Sequence, residues 1–452
     1  MLPQPSAGNA LQGDFFKVLL VDIINPQHPL VKLSQAIDWS HFAEVLGELY
    51  CEDDGRPAKP IRLMVGLQYL KYTSNMSDAE TLARWLENPY WQYFCGGVHF
   101  EHELPIESSL MTIFRQRLEE AGVEEMLAET IRAGLRKKLI RKSEVERVNV
   151  DTTVQEKAIR FPTDARLYDR MREHLVRQAR AEGVELRQSY CRVGKRALRK
   201  QSGYARARQF KRAARQARKL KTMLGRVLRD IIRKHPSPSP VLQQELAKTE
   251  RLLAQKRNDK HKLYSIHEPQ VECIAKGKAH KRYEFGCKVG FTTSAKGNWI
   301  LGAQAFHDNP YDGHTLAASL EQTERLTGVK LKQATADLGY RGHLYEGECK
   351  VLIANRYRKK IPKSVRYWWK RRSAIEPVIG HAKEEHRLNR NRLKGVEGDR
   401  VNAVLAACGF NMRKLLRQFS FLPKFWLWLK AYLQRQQAFF TQQHSHALLS
   451  VA

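Results

Sequence analysis

The chain has 452 residues, and its 42% hydrophobic content excludes an intrinsically disordered protein. Its 79 Lys and Arg residues exceed the 47 Asp and Glu residues, and the net charge of +32 favours nucleic acid as a partner over a membrane surface. The seven cysteines are scattered without a Cys-x-x-Cys pair, which argues against a zinc site or a disulfide framework and indicates a reducing, cytoplasmic compartment.

The first 140 residues predict a helical domain. Residues 38–50 and 61–72 carry apolar residues at helical spacing, and Ser77 and Glu80 form a capping box for a helix that should end before Pro89. Two helices joined by the short turn 73–77 fit a DNA-binding helix-turn-helix, but any helical hairpin has the same spacing. Both interpretations of residues 1–140 are open at this point.

An α/β domain is predicted over residues 141–415. Residues 145–154 form a strand candidate with Val148 and Val150 on one face. The later elements are two strands joined near Gly297, then a helix, two strands and two helices, at 283–308, 312–328, 329–339, 348–355, 370–389 and 401–419. This order predicts a partly antiparallel sheet covered by helices.

Residues 165–265 interrupt this domain with a helical, strongly basic insertion. Between Arg192 and Lys234 there are 17 Lys and Arg residues and one acid, Asp230, so this segment holds half of the net charge. The break at His235–Pro240 predicts two long helices in an antiparallel hairpin. A charge run is commonly a solvated helix face, but the interleaved Tyr204 and Phe210 favour DNA or a second protomer as a partner, bound by exposed cations such as Lys211, Arg212, Arg215, Arg218 and Lys219.

The end of the chain contains an apolar stretch, residues 421–433. It is too short to cross a bilayer and contains Lys424 and Lys430. It therefore predicts an amphipathic helical tail over residues 416–452. The N-terminus lacks the basic and apolar regions of a secretory signal, so we expect a cytoplasmic protein without a membrane partner.

Three acidic residues lie in unusual surroundings for so basic a chain. Asp151 and Asp337 follow apolar, β-like runs, and Glu376 lies between Arg372 and Lys383. Three converging carboxylates in a basic protein fit divalent metal ions that act on a phosphodiester backbone. Lys383 follows Glu376 by two helical turns and shares its face, and Arg372 joins that face if the helix extends back to it.

Each acid also has an ordinary structural interpretation. Asp151 can bind the backbone amides that follow it, and Asp337 can be a turn residue before Gly339. Glu376 can complete a capping box with Ser373. Asp308 and Asp312 are competing acids, and we interpret Asp312 as the cap of the helix that follows it.

Around these acids the chain resembles the DDE-class bacterial insertion-sequence transposases, in the group of the fourth and fifth insertion-sequence families. Residues 337–340, Asp-Leu-Gly-Tyr, match the D-x-G-[FY] motif of the second acid. Arg372, Glu376 and Lys383 match the last three positions of Y-x2-R-x3-E-x6-K, whereas Trp369 replaces the tyrosine. The sequence VDTTVQEKA around Asp151 fits the strand of the first acid.

The resemblance implies an RNase H-like catalytic domain with a mixed sheet, a helical N-terminal domain and the basic helical insertion. It implies that Asp151, Asp337 and Glu376 are catalytic and bind two Mg²⁺ ions, for which Mn²⁺ can substitute. Further implied features are a dimeric or larger assembly, association with the bacterial nucleoid, and contacts to double-stranded DNA by Arg372, Lys383, Tyr340 and Arg341. The implied reaction is cleavage at the ends of a mobile element followed by strand transfer into target DNA.

Two other functions are compatible with the residues. A non-catalytic DNA-binding regulator needs only the basic insertion and the N-terminal helices. An RNase H-like nuclease uses the same three acids without strand transfer. The chain lacks the P-loop pattern GxxxxGK[ST], which argues against an ATP-driven translocase.

Overall fold

The computed structural model describes residues 18–50, 57–256, 258–275, 281–355 and 361–420. Within them, one mixed sheet contains the strands β1 (Arg147–Glu156), β2 (Glu272–Ile274), β3 (Glu284–Ser294), β4 (Ile300–Phe306), β5 (Gln333–Ala336) and β6 (Lys350–Ile353). The predicted α/β order is confirmed, and the short β2 is an additional strand. Most of the predicted C-terminal tail lies outside the described residues.

Strand β1 is central in the sheet. It pairs antiparallel with β3 on one side and parallel with β5 on the other, and β6 continues in parallel beside β5. Strands β4 and β2 both pair antiparallel with β3. The β1 valines Val148, Val150 and Val154 are wholly buried, as expected for β-branched residues in the middle of a covered sheet.

Eight helices precede the sheet in the described part of the chain: α1 (Leu20–Ile23), α2 (Pro29–Ser34), α3 (Trp39–Gly47), α4 (Ile61–Thr73), α5 (Asp78–Glu87), α6 (Pro89–Phe94), α7 (Ser108–Arg136) and α8 (Lys142–Val145). The capping box of Ser77 and Glu80 is formed in both directions, and α5 ends before Pro89 as predicted. The backbone of α7 is kinked at Glu119, where φ is 50°.

The helix pair α4–α5 does not fit a DNA-reading helix-turn-helix well. Helix α4 is buried along nearly its whole length. The charged residues on the exposed face of α5 are two acids, Glu80 and Glu87, and one cation, Arg84. A recognition helix must approach phosphates, which an acidic face disfavours. The plain helical hairpin is therefore the better interpretation of these two helices.

The N-terminal helices and the sheet share one hydrophobic core. The same cluster contains Leu127 of α7 and both Val150 and Phe291 of the sheet. Polar contacts also cross the predicted boundary near residue 140, since the Tyr72 hydroxyl donates to Asn402 Oδ1 over 2.9 Å. These two regions form one packed body, which we call the core.

The insertion between β1 and β2 contains four helices in its described residues, α9 (Asp164–Ala181), α10 (Cys191–Arg206), α11 (Phe210–Lys234) and α12 (Pro240–Ala254). The predicted break near Pro240 is present, but the prediction of only two long helices is wrong. The four helices enclose a hydrophobic cluster separate from that of the core, with Leu175, Leu224 and Leu242 wholly buried in it.

The remaining helices are α13 (Leu316–Thr327), α14 (Lys363–Arg372) and α15 (Ile375–Glu385), followed by α16 over residues 395–420. Helix α13 packs on β3 and β4, whereas α14 and α15 both pack against β1. The single helix predicted over 370–389 is thus divided near Ser373. None of the described helices is long and apolar enough to cross a membrane.

Candidate active site

The three predicted acids converge on one guanidinium group, that of Arg372. Its Nη2 atom lies 2.8 Å from Asp151 Oδ2 and 3.9 Å from Asp337 Oδ2. Its Nη1 atom lies 3.3 Å from Glu376 Oε1. The acids come from β1, from the end of β5 and from α15, so the fold brings together residues that are far apart in sequence.

Parallel pairing of β1 and β5 explains why the two aspartates are neighbours. The register pairs Asn149 with Thr335, and two residues further along each strand it brings Asp151 beside Asp337. Asp151 also accepts a hydrogen bond from the Thr152 amide at 2.8 Å, so its predicted amide-binding role is present as well. Its side chain is only 16% exposed.

Steric crowding explains why a glycine follows Asp337 two residues later. Asp337 Oδ1 accepts a hydrogen bond from the Gly339 amide at 2.9 Å, which is the predicted turn role. A Cβ atom at residue 339 would lie 3.0 Å from Asp337 Oδ1 and 3.2 Å from Asp312 Oδ2. A side chain there would press between two carboxylates, so glycine allows them to approach.

Glu376 is not a helix cap. The residue at the N-cap of α15 is Ala374, which makes no side-chain cap bond, and Ser373 contacts Glu376 only through backbone atoms. The alternative capping interpretation is therefore wrong. The Glu376 side chain is 60% exposed and points to Arg372 one turn earlier. Lys383 is half-buried two turns further along α15.

Tyr340 is buried next to the candidate acids. It has no exposed surface, and burial, together with the nearby Asp151 and Asp312, raises the pKa of its hydroxyl well above the usual value. Its predicted contact with DNA does not fit this burial. The neighbouring Arg341 is exposed.

Asp312 and Lys288 form a second charged pair beside the acids, which the sequence interpretation missed. Lys288 Nζ lies 2.8 Å from Asp312 Oδ1, and the Thr152 hydroxyl donates to the same oxygen over 2.9 Å. The prediction that Asp312 caps the next helix is therefore wrong. The sequence contained a signal for this pair, because a lysine in the apolar strand sequence GCKVGF needs a buried partner.

The donor set of the three acids suits a hard divalent cation. Carboxylate oxygens are the protein ligands that Mg²⁺ prefers, and it commonly retains water and substrate phosphate as further ligands. Asp337 is 38% exposed and Glu376 is 60% exposed, so both can face a bound polynucleotide. Asp151, Asp337 and Glu376 are thus the residues that could hold such ions.

A second group of metal-ligand types lies elsewhere in the core. Cys287, His307 and Asp399 bring their ligand atoms within 4.8 Å of one another. Lys157 Nζ already lies 2.8 Å from Asp399 Oδ1, and burial raises the pKa of the Cys287 thiol. Asp399 Oδ1 is already bonded to both Lys157 and Asn391, and the raised pKa keeps the buried thiol protonated, so we assign this cluster a structural role.

The basic insertion presents its cations to solvent. The five cations predicted to contact a polyanion are all exposed on α11: Lys211, Arg212, Arg215, Arg218 and Lys219. The guanidinium of Arg212 lies 5.9 Å from the ring centre of Tyr204, and Phe210 is 69% exposed. Exposed cations beside aromatic rings suit contact with phosphates and bases.

Comparison with known proteins identifies two family models. Residues 18–117 match a transposase domain (DUF772), and residues 332–416 match a transposase DDE domain that includes Asp337, Arg372, Glu376 and Lys383. A protein of Rhizobium meliloti, described as uncharacterized protein ORF8 in the nfe locus, is 49% identical over 207 residues, which are 46% of this chain and 100% of that protein. No solved structure matches the chain.

Proposed function

The chain belongs to the DDE-class insertion-sequence transposases, and we propose that it binds the ends of its own element, cuts them and transfers the strands to target DNA. The observation that carries this proposal is the convergence of Asp151, Asp337 and Glu376 on Arg372. Three acids that merely capped or turned the chain would have no reason to meet at one point.

Asp151, Asp337 and Glu376 would hold two divalent ions, with Mg²⁺ expected and Mn²⁺ as a substitute. When bound, such ions activate the attacking oxygen and stabilise the leaving oxygen of the phosphodiester. Water is the attacking group in end cleavage, and the freed 3′-hydroxyl is the attacking group in strand transfer.

The neighbouring cations have distinct roles in this proposal. Arg372 holds the three carboxylates close together against their mutual repulsion and is itself only 15% exposed. Lys383 and Arg341 lie nearer to solvent and are proposed to contact backbone phosphates. Lys288 fixes Asp312 beside Thr152.

We further assign the core to the RNase H-like fold and to the group of the fourth and fifth insertion-sequence families. The support is the strand order β4–β3–β1–β5–β6, with only β3 antiparallel to β1, and the placement of one acid on β1 and one after β5. Trp369 departs from the group motif, and its buried indole nitrogen has no hydrogen-bond partner.

The central test is Asp337→Asn. The asparagine oxygen can still accept the Gly339 amide hydrogen, so the fold should be kept while the charge is lost. We expect Mg²⁺-dependent cleavage of element-end DNA to fall to background and DNA binding to be retained. Asp308→Asn, at an exposed acid, is the matched control and should cleave normally. Cleavage by the Asp337 variant at the wild-type rate would refute the assignment of the acids.

Product analysis separates this proposal from its alternatives. A transposase joins a labelled 3′ end to a supercoiled plasmid, a nuclease releases only cut ends, and a regulator binds without either reaction. Wild-type protein that binds end DNA but cuts nothing with Mg²⁺ or Mn²⁺ would favour the regulator. Strand transfer joins two ends, so we propose a dimer or larger assembly on end DNA, to be checked by analytical ultracentrifugation.

The insertion is proposed to clamp DNA through α11. Replacing Lys211, Arg212, Arg215, Arg218 and Lys219 with glutamine should weaken binding more at low salt than at high salt, because wild-type binding falls more steeply with salt. With a slope of about −0.9 per phosphate contact, five lost contacts would reduce the logarithmic salt slope by about 4 to 5 in filter binding. An unchanged slope would contradict the clamp and leave a second protomer as the partner of this face.

A further inference from the structure

A groove at the end of β1 is lined by four arginines. Arg160 and Arg166 follow β1, and Arg390 and Arg392 come from the loop after α15. All four are exposed, and none forms an ion pair with an acid among the described residues. Four uncompensated guanidinium groups around one groove repel each other, so an anion in the groove would stabilise the arrangement.

The loop that carries Arg390 and Arg392 is held rigidly. Asn391, between them, is 2% exposed and is bonded to the end of β1: its amide donates to Glu156 O at 2.7 Å, and its carbonyl accepts from the Ala158 amide at 2.8 Å. The Asn391 side chain donates to Asp399 Oδ1 at 2.7 Å. The two arginines therefore flank a buried anchor.

The backbone of this loop is also strained. Arg390 has φ of 56°, in the left-handed region that arginine rarely adopts. Such strain persists only where surrounding contacts fix it, and it is typical of functional sites. The fixing contacts are buried, because Lys157, 5% exposed, binds Asp399 at 2.8 Å and the Gly395 carbonyl at 3.3 Å.

The length of β1 sets the approximate distance between the groove and the candidate acids. Ala158, on its wall, follows Asp151 by seven residues along β1 and the residues just beyond it. At about 3.3 Å per extended residue the separation is about 23 Å. DNA advances about 3.4 Å per base pair, so this distance corresponds to about seven base pairs.

We infer that this arginine groove binds the phosphodiester backbone of element-end DNA about seven base pairs from the cut. Guanidinium groups bind phosphate oxygens in a bidentate manner, and a preformed loop loses little entropy on binding. The inference rests on the proposed function for the identity of the DNA, but the groove's affinity for a phosphate backbone is separate from the chemistry.

The test compares Arg390→Gln/Arg392→Gln with Lys137→Gln/Lys138→Gln, an equal charge change at exposed lysines outside the groove. Without divalent ions, filter binding to duplex DNA should show a logarithmic salt slope reduced by about 2 for the arginine pair. Phosphate-ethylation interference on cleavable end DNA should lose its signal about six to eight base pairs from the cut. Arg390→Lys/Arg392→Lys should recover part of the slope.

Failure of the groove assignment and failure of the transposase proposal give different results. If wild-type protein cuts end DNA but the arginine pair leaves both the slope and the interference pattern unchanged, the groove assignment is overturned and the transposase proposal stands. If wild-type protein never cuts DNA but the arginine pair still lowers the slope relative to the lysine pair, the groove stands as a DNA site. Equal thermal melting of all variants shows that neither result comes from misfolding.

Discussion

The core and the basic insertion use charge in different ways. In the interior of the core, the cations are paired with acids: Arg115 and Lys71 both bind Asp78, and Arg372 binds the three catalytic candidates. On α11 of the insertion, only a few cations meet an acid, Asp230, among the described residues. Buried charge therefore fixes geometry inside the core, whereas the exposed charge of α11 is left for a ligand.

Their hydrophobic interiors are separate as well. The cluster of the insertion shares no residue with the cluster of the core. The two connecting segments are close together, since Lys262 Nζ lies 3.8 Å from Asp164 Oδ1, and the rings of Phe161 and Tyr264 both contact Phe285. A module with its own core and adjacent ends is expected to fold largely by itself.

Replacing residues 165–261 with a short Gly/Ser linker should separate the contributions of the core and the insertion most clearly. We expect the core to remain folded, because its cluster is intact, while affinity for DNA at 200 mM salt falls by roughly 10³-fold through loss of six or more phosphate contacts. Circular dichroism melting and filter binding measure the two effects. A deleted protein that no longer melts cooperatively would mean that the two interiors depend on each other.

Asp78→Asn should show the cost of removing a paired charge in the core. Arg115 and Lys71 are 4% and 5% exposed, so both would become buried cations without a counter-charge, and the free energy of unfolding should fall by about 3 kcal/mol. Asp230→Asn is the matched change in the insertion. Its partner Arg233 is 66% exposed, so the loss should stay below about 1 kcal/mol. Urea denaturation that gave equal losses would contradict the contrast.

The same carboxylate should govern part of the acid sensitivity of the core. Burial alone would raise the pKa of Asp78, but the hydrogen bonds and charges of Arg115 and Lys71 outweigh it and lower the pKa below its usual value. Its stabilisation is therefore present above the unfolded-state pKa of about 3.9 and is lost as the pH falls through the lower folded-state pKa. Asp78→Asn should flatten the stability curve in that acidic range.

Arg372→Ala should reduce cleavage by about 10- to 100-fold, the usual cost of losing a group that orients metal ligands. The carboxylates would then repel each other, so Mg²⁺ should raise the melting temperature of this variant more than that of wild type. Arg371→Ala is the neighbouring control. Arg371 bonds backbone carbonyls of residues 295 and 296, so its loss should affect stability and not cleavage. A Mg²⁺ response of Arg372→Ala equal to wild type would argue against metal binding by the acids.

Gly339→Ala should have the smallest effect. The added methyl group must displace the Asp337 and Asp312 carboxylates by a few tenths of an ångström, which we expect to lower cleavage by about tenfold while stability changes by less than about 1 kcal/mol. Gly380→Ala, in α15, has open space around its Cβ and should cleave normally. Unchanged kinetics at residue 339 would show that these carboxylates tolerate displacement.

Local sequence patterns predicted much of the candidate site. Asp337 and Gly339 are adjacent, and their hydrogen bond is part of a short turn, so a motif can report it. Asp312 was misassigned because its partner Lys288 lies on β3, and only the pairing of β3 with β1 brings that lysine to Thr152. The arginine groove was likewise invisible, since it joins the end of β1 to a loop far along the chain.

The sequence by itself determined the α/β order of the sheet domain apart from β2, the location of the basic excess and the three candidate acids, because these follow from residue type and short-range spacing. Only the tertiary structure decided that the N-terminal helices share the core of the sheet, that the insertion has a separate interior, and that Arg372 contacts all three acids. Those features depend on long-range packing and strand register, which no local pattern encodes.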